Sequence, residues 1–172
     1  MTDFAAMDLE QLQAAADQLR AGVDLDPPTL VPAFAEAQLA LAAKLAEAGE
    51  AERAQAAAQE GVDHLRLLHE NDAPTFGVHL ASALNNLSNR LTDLARDEEA
   101  RLAGDEAQSL AQAAIAHKPA EARFVLVSTL MNQSGRSWRA SQSLRAIEEL
   151  AAAVEVFRQG GVALSSGLGV VA

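Results

Sequence analysis

The residues that could carry catalytic chemistry are few, and their spacing does not form an active site. His64 and His69 are five positions apart in a predicted helix, too far around it to aim both imidazoles at one metal ion. The acidic runs EAGEAE and RDEEAR lie at predicted helix starts, where carboxylates stabilise the helix dipole. The phosphate-loop, dinucleotide, H-E-x-x-H and G-x-S-x-G motifs are absent from the sequence. We therefore expect a protein that is not an enzyme and holds no metal or cofactor.

Amide side chains are the residues best suited to binding. Asn85, Asn86 and Asn89 lie in a predicted helix, although asparagine disfavours helix interiors because its amide competes for backbone groups. If the leucines of this helix face the core, Asn85, Asn89 and Thr92 lie together on a different face of the same helix. Each amide offers a donor and an acceptor to a peptide backbone. The alternative is that these asparagines keep the helix soluble or bridge to a neighbouring repeat.

The composition indicates an all-helical chain of 172 residues. Alanine and leucine dominate, tyrosine is absent and aromatic residues make up only 3%. Without cysteine, no disulfide framework can form, and the start MTDFAAMDLE lacks the pattern of a signal peptide, so we expect a cytoplasmic protein. A net charge of −11 disfavours nucleic acid and anionic membranes as direct partners and favours a basic partner segment.

Proline, glycine and capping residues divide the chain into seven predicted helices joined by short loops. We place the break between the last two helices at Ser134–Arg136, with Ser137 as the helix cap. Loops this short favour antiparallel neighbours. The predicted helices span 7–21, 29–48, 50–70, 75–94, 97–117, 119–133 and 137–159. The glycine- and serine-rich residues 160–172 are interpreted as a flexible tail, with docking on a groove as the alternative.

The helix pairs resemble one another. Leu41, Ala42, Leu45 and Gly49 align with residues 46 positions later, and a further shift of 40 gives a third copy that includes Met131 and Gly135. In this order of residues the first helix presents large and small apolar side chains, and a turn follows. The second helix places an alanine opposite them, which permits close packing.

This pattern resembles the tetratricopeptide repeat (TPR), in the longer variety found in kinesin light chain and in many bacterial repeat proteins. The resemblance implies antiparallel helical hairpins stacked in a right-handed superhelix over residues 1–159. It would comprise a half repeat at 7–28 and full repeats at about 29–74, 75–118 and 119–159. The sequence departs from the family in lacking most of the expected aromatic residues, since only Phe124 is aromatic at the early bulky position.

In such a stack the first helices line the concave side. The resemblance therefore implies a non-enzymatic protein–protein interaction module that holds a peptide or protein segment in that groove. The stripes predicted to contact the peptide contain Asn85, Asn89, Thr92, Thr129, Asn132 and Gln133. Trp138, the only tryptophan, is interpreted as a core or end-cap anchor.

The alternative function is structural self-assembly. A repeat array that starts with a lone second-helix half exposes an apolar flank at its first helix. Two chains could cover each other there and form a two-fold homodimer.

Overall fold

The computed structural model describes residues 3–23 and 25–165, and within them the chain forms seven α-helices and no β-strand. The prediction of an all-α fold with about seven helices is confirmed. A short 3₁₀ turn at Phe4–Ala6 precedes the helices. The helices are α1 Leu9–Gly22, α2 Pro27–Glu47, α3 Ala51–Asn71, α4 Ala73–Asp93, α5 Asp97–Ala114, α6 Pro119–Arg139 and α7 Ser143–Ser165.

Three antiparallel hairpins pack side by side, with α1 covering the first of them. The pairs α2–α3, α4–α5 and α6–α7 make the most extensive contacts. Neighbouring hairpins meet through α3–α4 and α5–α6, and also through their first helices, α2–α4 and α4–α6. Fully buried small residues such as Ala54, Ala58, Ala100 and Ala107 let these helices approach closely.

Each hairpin turns at one residue in the left-handed region. Gly49, Ala95 and Ser141 have φ of 81°, 55° and 60°, and they are 46 positions apart. In each turn the next backbone N–H donates to a carbonyl five residues earlier, at 2.8 to 2.9 Å, which closes the helix end. The three first helices also have the same length, 21 residues. The repeat is therefore uniform at 46 residues, and the predicted shift of 40 for the third copy is wrong.

The error arose at the end of α6. We predicted a break at Ser134–Arg136, but α6 continues to Arg139 and the turn follows at Ala140–Gln142. Gly135 faces open space inside the helix, and one glycine there costs only about 1 kcal/mol. A glycine near a helix end was thus mistaken for the turn residue.

The last helix is longer than predicted. Gly160 lies within α7 and packs near Arg123, and the helix continues to Ser165 rather than ending at 159. The predicted flexible tail is therefore wrong for residues 160–165, which are helical. Residues 166–172 lie outside the described residues.

One helix of the described part of the chain meets the length and composition of a membrane span. This helix is α2, and 44% of its most apolar window is buried inside the molecule. Its Val31, Phe34 and Leu41 are almost completely buried in the main hydrophobic core. A core helix of a soluble fold has the same composition, so the packing explains the apolar sequence without a membrane.

Candidate functional site

The predicted groove residues Asn85 and Asn132 bind each other instead of facing an open groove. The Nδ2 group of Asn132 on α6 donates to Oδ1 of Asn85 on α4 at 3.1 Å. Asn85 is only 8% exposed, because the neighbouring hairpin covers it. This is the alternative in which the amides bridge adjacent repeats, and it accounts for asparagine in the interior of α4.

Thr129 and Gln133 are also buried, so the expectation that they line an open groove is wrong at these positions. Thr129 is fully buried and its hydroxyl donates to the carbonyl of Val125 at 2.9 Å. Gln133 donates from Nε2 to Oδ1 of Asp105 at 3.2 Å and ties α6 to α5. Both side chains therefore contribute to packing between hairpins.

Asn89 and Thr92 are half-buried on α4. The hydroxyl of Thr92 donates to the carbonyl of Ser88 at 2.9 Å, which satisfies it within its own helix. Thr92 also lines a cleft of about 560 Å³ between the α4–α5 turn and the α6–α7 turn. Of the six predicted groove residues, Asn89, Thr92 and Asn132 are thus half-buried, whereas Asn85, Thr129 and Gln133 are buried.

Four of the charged side chains that line that cleft form two ion pairs. Arg101 binds Glu98 at 2.7 Å, and this hydrogen bond lowers the pKa of the Glu98 carboxyl, so it is ionised at neutral pH. Arg145 binds Glu149 at 2.9 Å. Burial lowers the pKa of the Arg136 guanidinium, with the Glu149 charge acting against that shift. The cleft therefore contains two ion pairs and the half-buried guanidinium of Arg136.

The most unusual surface of the described chain is apolar. Eight of its eleven exposed large hydrophobic side chains lie on the last hairpin and are 43% to 80% exposed. We call this surface the C-terminal apolar face. It comprises Phe124, Met131 and Trp138 on α6 and Leu144, Ile147, Leu150, Val154 and Phe157 on α7. Trp138 is 65% exposed, so its predicted role as a core anchor is wrong.

These side chains lie on one side of the hairpin. The contact between α6 and α7 includes Ser134, whose hydroxyl donates to the carbonyl of Ala146 at 2.8 Å. Trp138 follows Ser134 by four residues, and Leu150 follows Ala146 by four. A step of four residues turns about 40° around a helix, so the exposed side chains of α6 and of α7 are rotated in the same direction away from the line where the two helices touch. Two antiparallel helices are related by a two-fold axis that passes between them at right angles to the plane that contains both. Side chains rotated equally away from the contact therefore lie on the same side of the hairpin.

Four of the eight positions are covered by the next hairpin in the preceding repeat. Counting back 46 residues, Phe124 and Met131 correspond to Val78 and Asn85, which pack against or hydrogen-bond to α6. Leu150 and Phe157 correspond to Gly104 and Ala111, which face α6. This part of the C-terminal apolar face is therefore equivalent to the surface of α4 and α5 on which α6 packs, whereas the position equivalent to Leu144 is the exposed Glu98.

The other end of the array is closed. The inner face of α1 is covered, since Leu12 and Ala16 are fully buried against the following helices. Its outer face carries exposed Glu10, Asp17 and Arg20, and no large apolar side chain of α1 is exposed. The expected apolar flank at the first helix is thus absent from the described structure.

Comparison with known proteins identifies no relative. The chain matches no family model, no curated protein and no solved structure. The resemblance to tetratricopeptide repeats consequently stays a prediction, and the function has to be argued from the surface itself.

Proposed function

We propose that this chain is a non-enzymatic protein–protein interaction module of stacked, TPR-like hairpins that binds an amphipathic helix on its C-terminal apolar face. The observation that supports the proposal is the extent of this face. Three of the eight side chains are aromatic, with roughly 150–250 Å² each when fully exposed, and the other five are smaller aliphatic ones; at 43% to 80% exposure the eight leave on the order of 1,000 Å² of apolar surface. The largest apolar patch of a typical monomer is about 300–600 Å². A larger patch is characteristic of an interaction surface.

The shape of the face favours a helix as the ligand. In the array, α4 packs on α2 and α3, and α6 packs on α4 and α5. The C-terminal apolar face repeats these acceptor positions with larger side chains, Leu150 in place of Gly104 and Phe157 in place of Ala111. An amphipathic helix presents apolar residues every three to four positions and can bury them in such a groove.

The burial of these polar side chains argues against an extended peptide along the first helices, which the sequence predicts. Asn85, Thr129 and Gln133 are bonded within the molecule and are at most 8% exposed. Binding through them would require hairpins to separate. Apolar docking on α6 and α7 needs no such change.

The test is site-specific photo-crosslinking in cells that express the chain. A photoreactive phenylalanine derivative replaces Leu150, which is 49% exposed on α7, and in the control it replaces Leu102, which is 53% exposed on α5. We expect irradiation to give a covalent adduct with another polypeptide from position 150 and none from position 102. Absence of any adduct at position 150 would overturn the proposal.

A further inference from the structure

We infer that the helix received by the C-terminal apolar face comes from a second copy of this chain, so that two copies form an isologous, two-fold dimer through α6 and α7. This inference rests on the proposed function, since it names the partner for the same surface. It differs from the predicted dimer, which was to form through the first helix.

The two ends of the array permit only one kind of self-association through this face. The N-terminal end presents the polar outer face of α1, including Glu10, Asp17 and Arg20. Packing the apolar face of one copy against that end would take the Asp17–Arg20 ion pair and the Glu10 carboxylate out of water, and the apolar face offers no polar group to replace that hydration, which is costly. Head-to-tail growth is therefore disfavoured, and the apolar face meets a matching apolar surface only in another copy of itself. A surface that pairs with itself generates a closed two-fold dimer.

The hairpin geometry allows this pairing. A two-fold axis parallel to the helices, lying between the two faces, can place α7 of each copy in the groove between α6 and α7 of the other. The apolar stripe of α7 from Leu144 to Phe157 spans about 20 Å along the helix. Both copies then bury the same residues, as an isologous interface requires.

The available area is sufficient for a stable dimer. A standard specific interface buries about 800 Å² per partner, and the eight side chains of the face expose on the order of 1,000 Å². Interfaces of homodimers are more apolar than those of transient complexes, and this face presents eight large apolar side chains.

The charges around the face do not oppose pairing, although each copy carries a net charge of −11. Exposed side chains of both signs occur along α7 and at the end of α6. They are Arg139, Arg145, Glu148, Glu155 and Arg158. Since the local charge is mixed, the acidic character of the whole chain acts only over longer distances and is screened at physiological salt.

Sedimentation equilibrium of the purified chain tests the inference. We expect the wild type to have twice the 18.0 kDa mass of one chain and to dissociate on dilution. Leu150→Glu places a charge in the interface and should shift the mass to 18.0 kDa at concentrations where the wild type is dimeric. Leu102→Glu is the matched control, because Leu102 is similarly exposed on α5, away from the face, and it should remain dimeric. Circular dichroism confirms that both variants stay helical.

A wild type that stays at 18.0 kDa at every concentration overturns the inference. So does a dimer that Leu150→Glu leaves intact. The cross-linking experiment then shows whether only the dimer is rejected or the proposed function as well. An adduct at position 150 with a different protein would retain the interaction module and reject the second copy. A monomer with no adduct, or with a cross-link only to its own residues 166–172, would reject both.

Discussion

Replacing Ala95 by glycine should stabilise the protein, although alanine to glycine is usually destabilising in helical proteins. Ala95 lies in the α4–α5 turn with φ of 55°, where its Cβ crowds the backbone carbonyl. In the first hairpin Gly49 occupies the same position without that strain. Ala95→Gly therefore makes the second turn chemically equivalent to the first.

The expected magnitude follows from two opposing effects. A left-handed conformation costs alanine roughly 1–2 kcal/mol, which the substitution removes. Glycine increases the freedom of the unfolded chain, at a cost of about 0.4–1 kcal/mol. The difference between the two ranges is roughly 0–1.6 kcal/mol with a midpoint of about 0.8 kcal/mol, and that midpoint raises the melting temperature of a chain of this size by roughly 2–3 °C.

Thermal unfolding followed by far-UV circular dichroism measures this gain. The control is Ala56→Gly, because Ala56 is exposed in the interior of α3, where glycine costs about 1 kcal/mol and should lower the melting temperature. The same chemical change is thus expected to have opposite signs at the two sites. If Ala95→Gly lowers the melting temperature as Ala56→Gly does, the left-handed turn at position 95 and the 46-residue repeat built on it are incorrect.

Two further predictions concern buried polar groups. Asn132→Ala should destabilise the fold by about 1–3 kcal/mol because it leaves the buried amide of Asn85 unpaired, and Asn85→Ala should cost about 1 kcal/mol for the lost hydrogen bond, because the half-buried Asn132 can bond to water instead. A urea double-mutant cycle should show that the two losses are not additive; additive losses would contradict the bridge. Burial, helped by the Lys118 charge, lowers the pKa of His79, so the unfolded chain binds the proton more tightly. The free energy of unfolding should therefore fall as the pH drops below the ordinary histidine pKa of 6.5. His79→Gln should reduce the pH dependence of the urea midpoint in this range, and an unchanged pH dependence would contradict the reasoning.

The helical class and the hairpins could be predicted because they depend on local residue types. Prolines at 27 and 119 stand in the first turns of α2 and α6, where the missing N–H costs nothing, and Asp72 accepts a hydrogen bond from the Thr75 N–H at the start of α4. Such signals act within a few residues and need no knowledge of the rest of the fold.

The third repeat was misaligned because its turn residue carries no local signal. Ser141 adopts a left-handed conformation where a glycine is usual, while Gly135 lies six residues earlier in open helix. A uniform shift of 46 would have placed the turn correctly. The 46-residue spacing is present in the first two hairpins, but the glycine at position 135 favours a turn six residues too early.

The candidate site was missed for a different reason. Hydrophobic periodicity shows that α7 has an apolar stripe, but it does not show whether a neighbour covers that stripe. The same limit applies to the amides, since only the packing of α6 on α4 reveals that Asn85 is bonded to Asn132. Burial is a property of the assembled array, and so both surfaces had to be read from the structure.

Fluorescence of Trp138 provides the most direct measurement of the central claim, that the C-terminal apolar face is covered by a helix. It is the only tryptophan and is 65% exposed in the single chain. In the wild type at high concentration we predict blue-shifted emission and protection from acrylamide quenching, and in Leu150→Glu red-shifted emission with full quenching. Equal, solvent-exposed emission in both proteins at every concentration would show that self-association does not cover the face, contrary to this account.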